Sequence, residues 1–234
     1  IWGSDQRGNM VTGTEMLRKK TEGELESYVM TLPLMMDSTG KKFWKSEWNA
    51  IWLDQEKNSP YFVYQYFVNT ADADVEKFLR AFTLLEISEI EAIVSQHVQQ
   101  PELRYGQRQL ANYVIQTLFG KEAAQQAEKI SEFLFGERDK MELLSAFSAD
   151  ELQALARETG GCGVQEDEIR ILELLVLAWV CESNGDAKKL IAQGAISVNE
   201  QLVSDIGQKF SRSDAVNWVL LIRKGKKNYK IAQF

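Results

Sequence analysis

The sequence predicts a multi-domain chain: an α/β segment over 1–71, a helical domain over 72–140, and a small α+β module over 167–234, with a short helix and linker at 141–166. Three observations predict it. Short strand-like runs alternate with glycine turns up to about residue 70. From Asp72 the apolar residues recur at helical spacing. After "ETGGCGVQED" (158–167) the pattern changes again, to two helices followed by paired alternating runs.

In order, "SYVMTLPLMM" (27–36) reads as a buried strand ending in a loop, and "NAIWLD" (49–54) as a second extended piece. This is the texture of an α/β nucleotide-binding domain from its middle onward. Val75, Phe78, Leu79, Phe82 and Leu85 share one helical face, with Asp72 or Asp74 available as N-cap. "RQLANYVIQTLFG" (108–120) and "KEAAQQAEKISEFLFG" (121–136) are amphipathic helices, each closed by a glycine at a C-cap position, Gly120 and Gly136. "SADE" (148–151) is a capping box. A helix is expected over about 167–182, and a second, "GDAKKLIAQG", stops at Gly194. "AISVNEQLVS" is a hairpin turning at Asn199-Glu200, and "NWVLLIRKGKKNYKIA" a hairpin turning near Lys224-Gly225.

Composition is that of an ordinary soluble protein, 44% hydrophobic and 26% charged over 234 residues. The longest apolar run, 171–181, is interrupted by Glu173 and falls short of the roughly 20 residues needed to span a bilayer. The chain opens on "IWGSDQ" without an initiator Met or a signal peptide, as a fragment of a longer protein would. Cys162, Cys181 and the single His97 have no metal-ligand spacing, so no metal site is expected, and free thiols fit a cytoplasmic protein. One histidine leaves no material for a His-based nucleophilic triad, and His97 is assigned no role. Residues 205–234 hold seven Lys or Arg and two Asp, a net of +5 in a chain of net charge −7. A basic end on an acidic body steers polyanions to that end.

Three segments carry chemistry. "GSDQRGN" (3–9) offers a glycine turn, a carboxylate at Asp5 able to accept two ribose hydroxyls, and an amide at Gln6 for a carboxylate or phosphate oxygen. "KKFWKS" (41–46) sets Lys42, Lys45 and Ser46 together, mobile positive charge and a hydroxyl suited to a phosphate. "GDAKKLIAQGAISVNEQLVSD" (185–205) specifies a basic helix, a glycine stop and a β-hairpin at once.

With "TLPL", "IWLD", "SPY", "YQ", "TAD", "LFG" and "RKGKKNY", these segments resemble the C-terminal half to two-thirds of the bacterial tyrosyl-tRNA synthetases, from one end of the chain to the other. The resemblance implies the C-terminal part of a Rossmann-type class I catalytic domain, a helical anticodon-binding domain, and an RNA-binding module like that named after small-subunit ribosomal protein S-four. It implies ATP-dependent activation of tyrosine, with Mg²⁺, and transfer to tRNA(Tyr). Asp5 and Gln6 match positions that bind the ribose and the carboxyl or phosphate region of the adenylate, and Gly3 allows close backbone approach. Leu34 and Met35 match residues packing on adenine. Lys42, Lys45 and Ser46 match the mobile lysine-serine loop. Lys188, Lys189, Arg223, Lys224, Lys226 and Lys227 become candidate phosphate contacts on the tRNA. The family further implies a homodimer formed through the N-terminal half, and no membrane. A non-catalytic tRNA-binding module and a degenerate paralogue are the alternatives.

The departures are specific. The upstream half with its His-Ile-Gly-His motif is absent, Arg7 replaces a family tryptophan, and Asn199-Glu200 replaces Asn-Gly. Trp2, Trp44, Trp48 and Trp179 fall where the family carries glycine, whereas Trp52 fits "IWLD" and Trp218 is expected in a strand. UGA codons read as glycine by the source and written as tryptophan would explain all four.

Overall fold

The computed structural model describes residues 1–36, 38, 51–226 and 228–234. The first elements in chain order are β1 (Trp2–Gly3), a 3-10 turn (Ser4–Gln6), α1 (Arg7–Lys20), β2 (Thr31–Leu32), α2 (Pro60–Val68), α3 (Val75–Phe82), α4 (Ile87–Gln99) and α5 (Tyr105–Phe119). Next come α6 (Lys121–Phe135), α7 (Lys140–Ser145), α8 (Ala149–Thr159), β3 (Cys162–Gly163), β4 (Glu168–Arg170), α9 (Ile171–Leu177) and α10 (Asn184–Ala192). The chain closes with β5 (Ile196–Val198), β6 (Gln201–Leu202), β7 (Lys209–Ser211), β8 (Val219–Lys224) and β9 (Asn228–Gln233). These form two compact units, residues 1–58 with 69–107, and residues 59–68 with 108–234.

In the first unit β1 and β2 pair in parallel, Trp2 opposite Thr31 and Gly3 opposite Leu32. The strand expected over 27–36 shrinks to Thr31–Leu32, and Tyr28, Met30 and Leu32 are exposed. A two-strand ladder buries little on either face, so this apolar run stays in solvent. Of the piece expected at 49–54, residues 51–54 form no strand, although Ile51 is buried; 49 and 50 lie outside the described residues. Helix α3 buries Val75, Phe78 and Leu79 as its spacing requires. Its expected cap differs: Asp74 occupies the N-cap position, but its Oδ2 accepts from the Ser38 N–H at 2.8 Å rather than from the helix. Asp72 is engaged elsewhere too. Its Oδ1 accepts from Gln107 Nε2 at 2.6 Å and lies 3.2 Å from Nε2 of the buried His97. Gly106 permits the close packing beside this polar group, because a Cβ there would stand 2.7 Å from Val75 Cγ1 and 3.1 Å from the His97 ring.

The second unit is built around β8. Its sheet has the order β3-β9-β8-β5-β6, antiparallel except for β3 against β9, and β4 pairs with β7 in a separate two-stranded ladder. Leu220 and Ile222 point to one face and join Ala232 of β9 with Ile171, Leu174, Leu175, Ala187 and Ile191 of α9 and α10. Val219 and Leu221 point to the other and join Ile231 with Ile130, Phe133, Leu143, Leu144, Leu152 and Leu155 of α6, α7 and α8. That double burial is why "VLLI" is apolar without alternation.

Local signals act where expected in this unit. Ser148 and Glu151 form the capping box of α8, which stops at Gly160 with φ +69°. Gly120 has φ +93°. Gly136 follows α6 but with ordinary extended backbone; a Cβ there would stand 2.6 Å from the Glu132 carbonyl oxygen, so crowding rather than handedness demands glycine. Both hairpins form, one through Asn199 and Glu200 at φ +49° and +63°, the other through Gly225 at φ +68°. The helix expected over 167–182 is shorter. Glu168–Arg170 is strand β4, paired with β7, and α9 ends at Leu177.

Because β8 is covered on both sides, Leu220→Ala and Leu221→Ala should each lower the unfolding free energy by about 2–5 kcal/mol, read by urea denaturation. A sheet with one solvent face would show the loss at only one of them.

Lys129 Nζ donates to Glu151 Oε2 at 2.6 Å, both side chains being partly buried. Burial opposes ionisation of Glu151, but the Lys129 ammonium and the Ser148 N–H outweigh it and hold the carboxyl below its usual 4.5. A carboxyl lowered on folding stabilises above its unfolded pKa and loses that contribution as pH falls through the folded value. Glu151→Gln should therefore cost about 1–2 kcal/mol at neutral pH. The gap to the parent should close in denaturation series run progressively below pH 4.5.

Candidate functional site

The first group of candidates lies where β1 ends and α1 begins. Gly3 closes the strand, Ser4–Gln6 form one 3-10 turn, and Arg7 starts the helix. Strand end followed by helix N-terminus is the place where open α/β sheets meet anionic ligands, since unpaired N–H groups point there. The structure brings Gly3, Asp5 and Leu34 together: a Cβ on Gly3 would stand 2.9 Å from Asp5 Oδ1 and 3.1 Å from Leu34 Cδ2. Gly3 is at φ −64°, so proximity, not a left-handed backbone, requires glycine. Gln6 is half-buried and its Oε1 accepts from Asn9 Nδ2 at 2.9 Å, which orients the amide. Leu34 and Met35 are half-buried in the segment after β2.

Lys42, Lys45 and Ser46 lie outside the described residues, but both flanks of 39–50 are anchored. Upstream, the Ser38 N–H donates to Asp74, and Lys77 Nζ donates to the Met36 carbonyl. Downstream, Ile51 is buried and the Trp52 N–H donates to Asn58 Oδ1 at 2.5 Å. These anchors, the real work of Asp74, were missed in the sequence because a carboxylate before a helix also suits an N-cap.

The basic candidates separate by what they touch. Lys188 and Lys189 are exposed on α10, and Lys189 reaches Asp186 at 3.4 Å. Lys226 is exposed in the β8–β9 turn, and Lys227 lies outside the described residues. Arg223 is held in place, with Nη2 donating to Ser197 Oγ at 3.1 Å, Nη1 to the Gly225 carbonyl at 3.2 Å, and Nε 3.4 Å from Glu200 Oε2. Lys224 Nζ donates to the Val180 carbonyl at 2.8 Å, placing a cation beside the C-terminal end of α9. Among the described residues no group of His, Cys, Asp or Glu is placed to hold a metal, and no helix is long and apolar enough to cross a membrane.

Lys224→Met should accordingly lower the unfolding free energy by about 1–2 kcal/mol, whereas Lys226→Met should stay within about 0.5 kcal/mol of the parent. Equal effects in paired urea titrations would remove the distinction between the two lysines.

Comparison with known proteins places these residues in context. Residues 1–136 match the family described as tRNA synthetases class I (W and Y), and residues 151–232 match the tyrosine–tRNA ligase SYY-like C-terminal domain. The tyrosine–tRNA ligases of Streptococcus agalactiae and Streptococcus suis are each 42% identical to this chain over 236 aligned positions. Those alignments cover all of this chain and 55% of each relative, so the chain spans about half their length. A solved C-terminally truncated mitochondrial tyrosyl-tRNA synthetase from Coccidioides posadasii is 31% identical over 55% of this chain and 37% of its own, with a TM-score of 0.45.

Proposed function

The chain belongs to the class I tRNA synthetases of the W and Y family, and from that premise we propose that it is the C-terminal part of a tyrosine–tRNA ligase. The observation that carries the proposal is the order of two matches on one chain, the class I family over 1–136 and the tyrosine–tRNA ligase C-terminal domain over 151–232. In the proposed division, 1–71 is the end of a Rossmann-like catalytic domain, 72–140 binds the anticodon, 141–166 links, and 167–234 is an S-four-like RNA-binding module. The exposed Ile1, Trp2, Met30 and Leu32 suit a parallel sheet that continues beyond β1 and β2.

In the intact protein the carboxylate of tyrosine attacks the α-phosphorus of ATP, supplied as its Mg²⁺ complex, and pyrophosphate leaves with the bond electrons. Asp5 accepts the ribose hydroxyls, Gln6 holds the carboxyl or phosphate region, and Leu34 and Met35 pack on adenine. Lys42 and Lys45, with Ser46, stabilise the negative charge growing on the departing phosphates. A ribose hydroxyl of the tRNA terminal adenosine then attacks the tyrosyl carbonyl and AMP leaves. Lys188, Lys189, Arg223, Lys224, Lys226 and Lys227 form the basic face toward tRNA(Tyr), with Arg223 and Lys224 also holding the module together. The enzyme works in the cytoplasm as a homodimer whose contacts lie in the preceding half.

Tyrosine-dependent pyrophosphate exchange tests the catalytic part. The intact protein should exchange, Lys42→Ala and Lys45→Ala should each reduce kcat by about 10²–10³-fold, and residues 1–234 alone should be inactive. Exchange by that chain alone, or full activity in the lysine variants, overturns it. For the RNA part, neutralising Lys188, Lys189, Lys226 and Lys227 together should flatten the log–log salt dependence of tRNA binding by up to about three. An unchanged slope would make the basic end a solvated face.

A further inference from the structure

Two tryptophans stand where the backbone asks for glycine. Helix α9 ends in a Schellman motif: the Val180 N–H donates to the Leu175 carbonyl at 2.9 Å and the Trp179 N–H to the Val176 carbonyl at 3.0 Å. Ala178 is the C-cap, and Trp179 takes the next position with φ +53°. Val180 and Leu175, the flanking pair such a motif brings together, are both in the core. Trp179 itself is 83% exposed.

Trp218 is the second, and the structure corrects the expectation that it lies within a strand. Val216 and Val219 exchange both backbone hydrogen bonds at 2.9 Å around Asn217 and Trp218, whose φ values are +50° and +67°. That is a two-residue hairpin of the type in which both central residues are left-handed and Asn-Gly is strongly preferred. Asn217 fits its place, its Nδ2 donating to the Leu144 and Phe147 carbonyls at 3.0 and 2.8 Å. Trp218 is 58% exposed, with the Arg212 guanidinium 5.5 Å from its ring.

A left-handed backbone is costly for any residue with a Cβ, and an exposed indole returns little by burial. Among the described residues seven non-glycines have positive φ. Asn199 and Asn217 suit the region, Glu200 and Arg104 reach Arg223 and Asn69, and Glu22 sits in the exposed turn after α1. The other two are tryptophans, half of the four tryptophans described, and all four are exposed although this side chain is usually well buried.

We propose that residues 179 and 218 are glycine in the polypeptide that the source cell makes, each encoded by UGA. UGA differs from the tryptophan codon UGG only in its third base, and a reading that assigns it to tryptophan prints tryptophan at every such codon. A glycine tRNA that pairs with UGA inserts the one residue that both turns favour. The backbone evidence thus adds position 218 to the set marked by sequence, and gives 179 a physical ground independent of any family pattern.

The test is peptide sequencing by mass spectrometry of the protein purified from its source, together with the codons at both positions. Glycine at both, from UGA, is expected; tryptophan or UGG at either overturns the proposal. The strain is tested separately on the recombinant chain as written. Trp179→Gly and Trp218→Gly should each raise the folding equilibrium constant about fivefold, while Trp52→Gly, at an ordinary φ with Lys57 4.3 Å from its ring, should not. An unchanged or lower constant in both variants removes the strain and with it the proposal.

Discussion

Strand β8 has no solvent face, and the order of the second unit follows from that. Four consecutive residues, Val219 to Ile222, are fully buried, with alternate side chains entering two different cores. Each such side chain is worth about 1.5–3 kcal/mol of burial, so helices are needed on both sides at once. The chain supplies α6, α7 and α8 before the sheet for one side and α9 and α10 for the other. Cover thins toward the end of the strand, where Arg223 and Lys224 are half-buried and Gly225 and Lys226 are exposed. The same strand that organises the core therefore delivers cations to its rim.

In the first unit a smaller constraint has a comparable reach. Asp72 and Asp74 flank one 3-10 turn before α3, and their carboxylates serve different ends. Asp72 accepts from the buried Gln107 amide, which would otherwise be costly to bury, and lies 3.2 Å from Nε2 of the buried His97. Asp74, itself buried, holds the Ser38 amide just ahead of the lysine segment. The described residues just before that segment are thus tied to the start of α3, Ser38 through Asp74 and Met36 through Lys77.

Local signals were legible because they act over three or four residues. The Ser148–Glu151 box, Gly120 and the Asn199-Glu200 turn each state their geometry in the sequence. Non-local choices were not legible. Glu168–Arg170 became a strand because Lys209–Ser211 pairs with it, a partner some 40 residues away. The turn at Asn217-Trp218 was hidden because a tryptophan stands where such a turn usually has glycine. Of the candidate site, Asp5 and Gln6 suggest ribose and phosphate by chemistry alone, yet the approach of Leu34 to Gly3 beside Asp5 needed β2 laid beside β1.

Electrostatics decides which cations of the second unit suit the RNA partner proposed for it. The chain is acidic overall, at −7, so bulk attraction to RNA is absent and only the local field at its basic end can steer. Within that end, cations that satisfy protein groups have less to offer a phosphate. Lys224 would have to release the Val180 carbonyl, and Arg223 would have to release Glu200 and Ser197, before either could bind RNA at full strength. In the proposed RNA complex, counterion release would therefore come mainly from the exposed Lys188 and Lys189 on α10 and Lys226 in the β8–β9 turn. Arg223 and Lys224 instead tie the end of β8 to Ser197 of β5 and to the Val180 carbonyl after α9, next to the segments that carry those lysines.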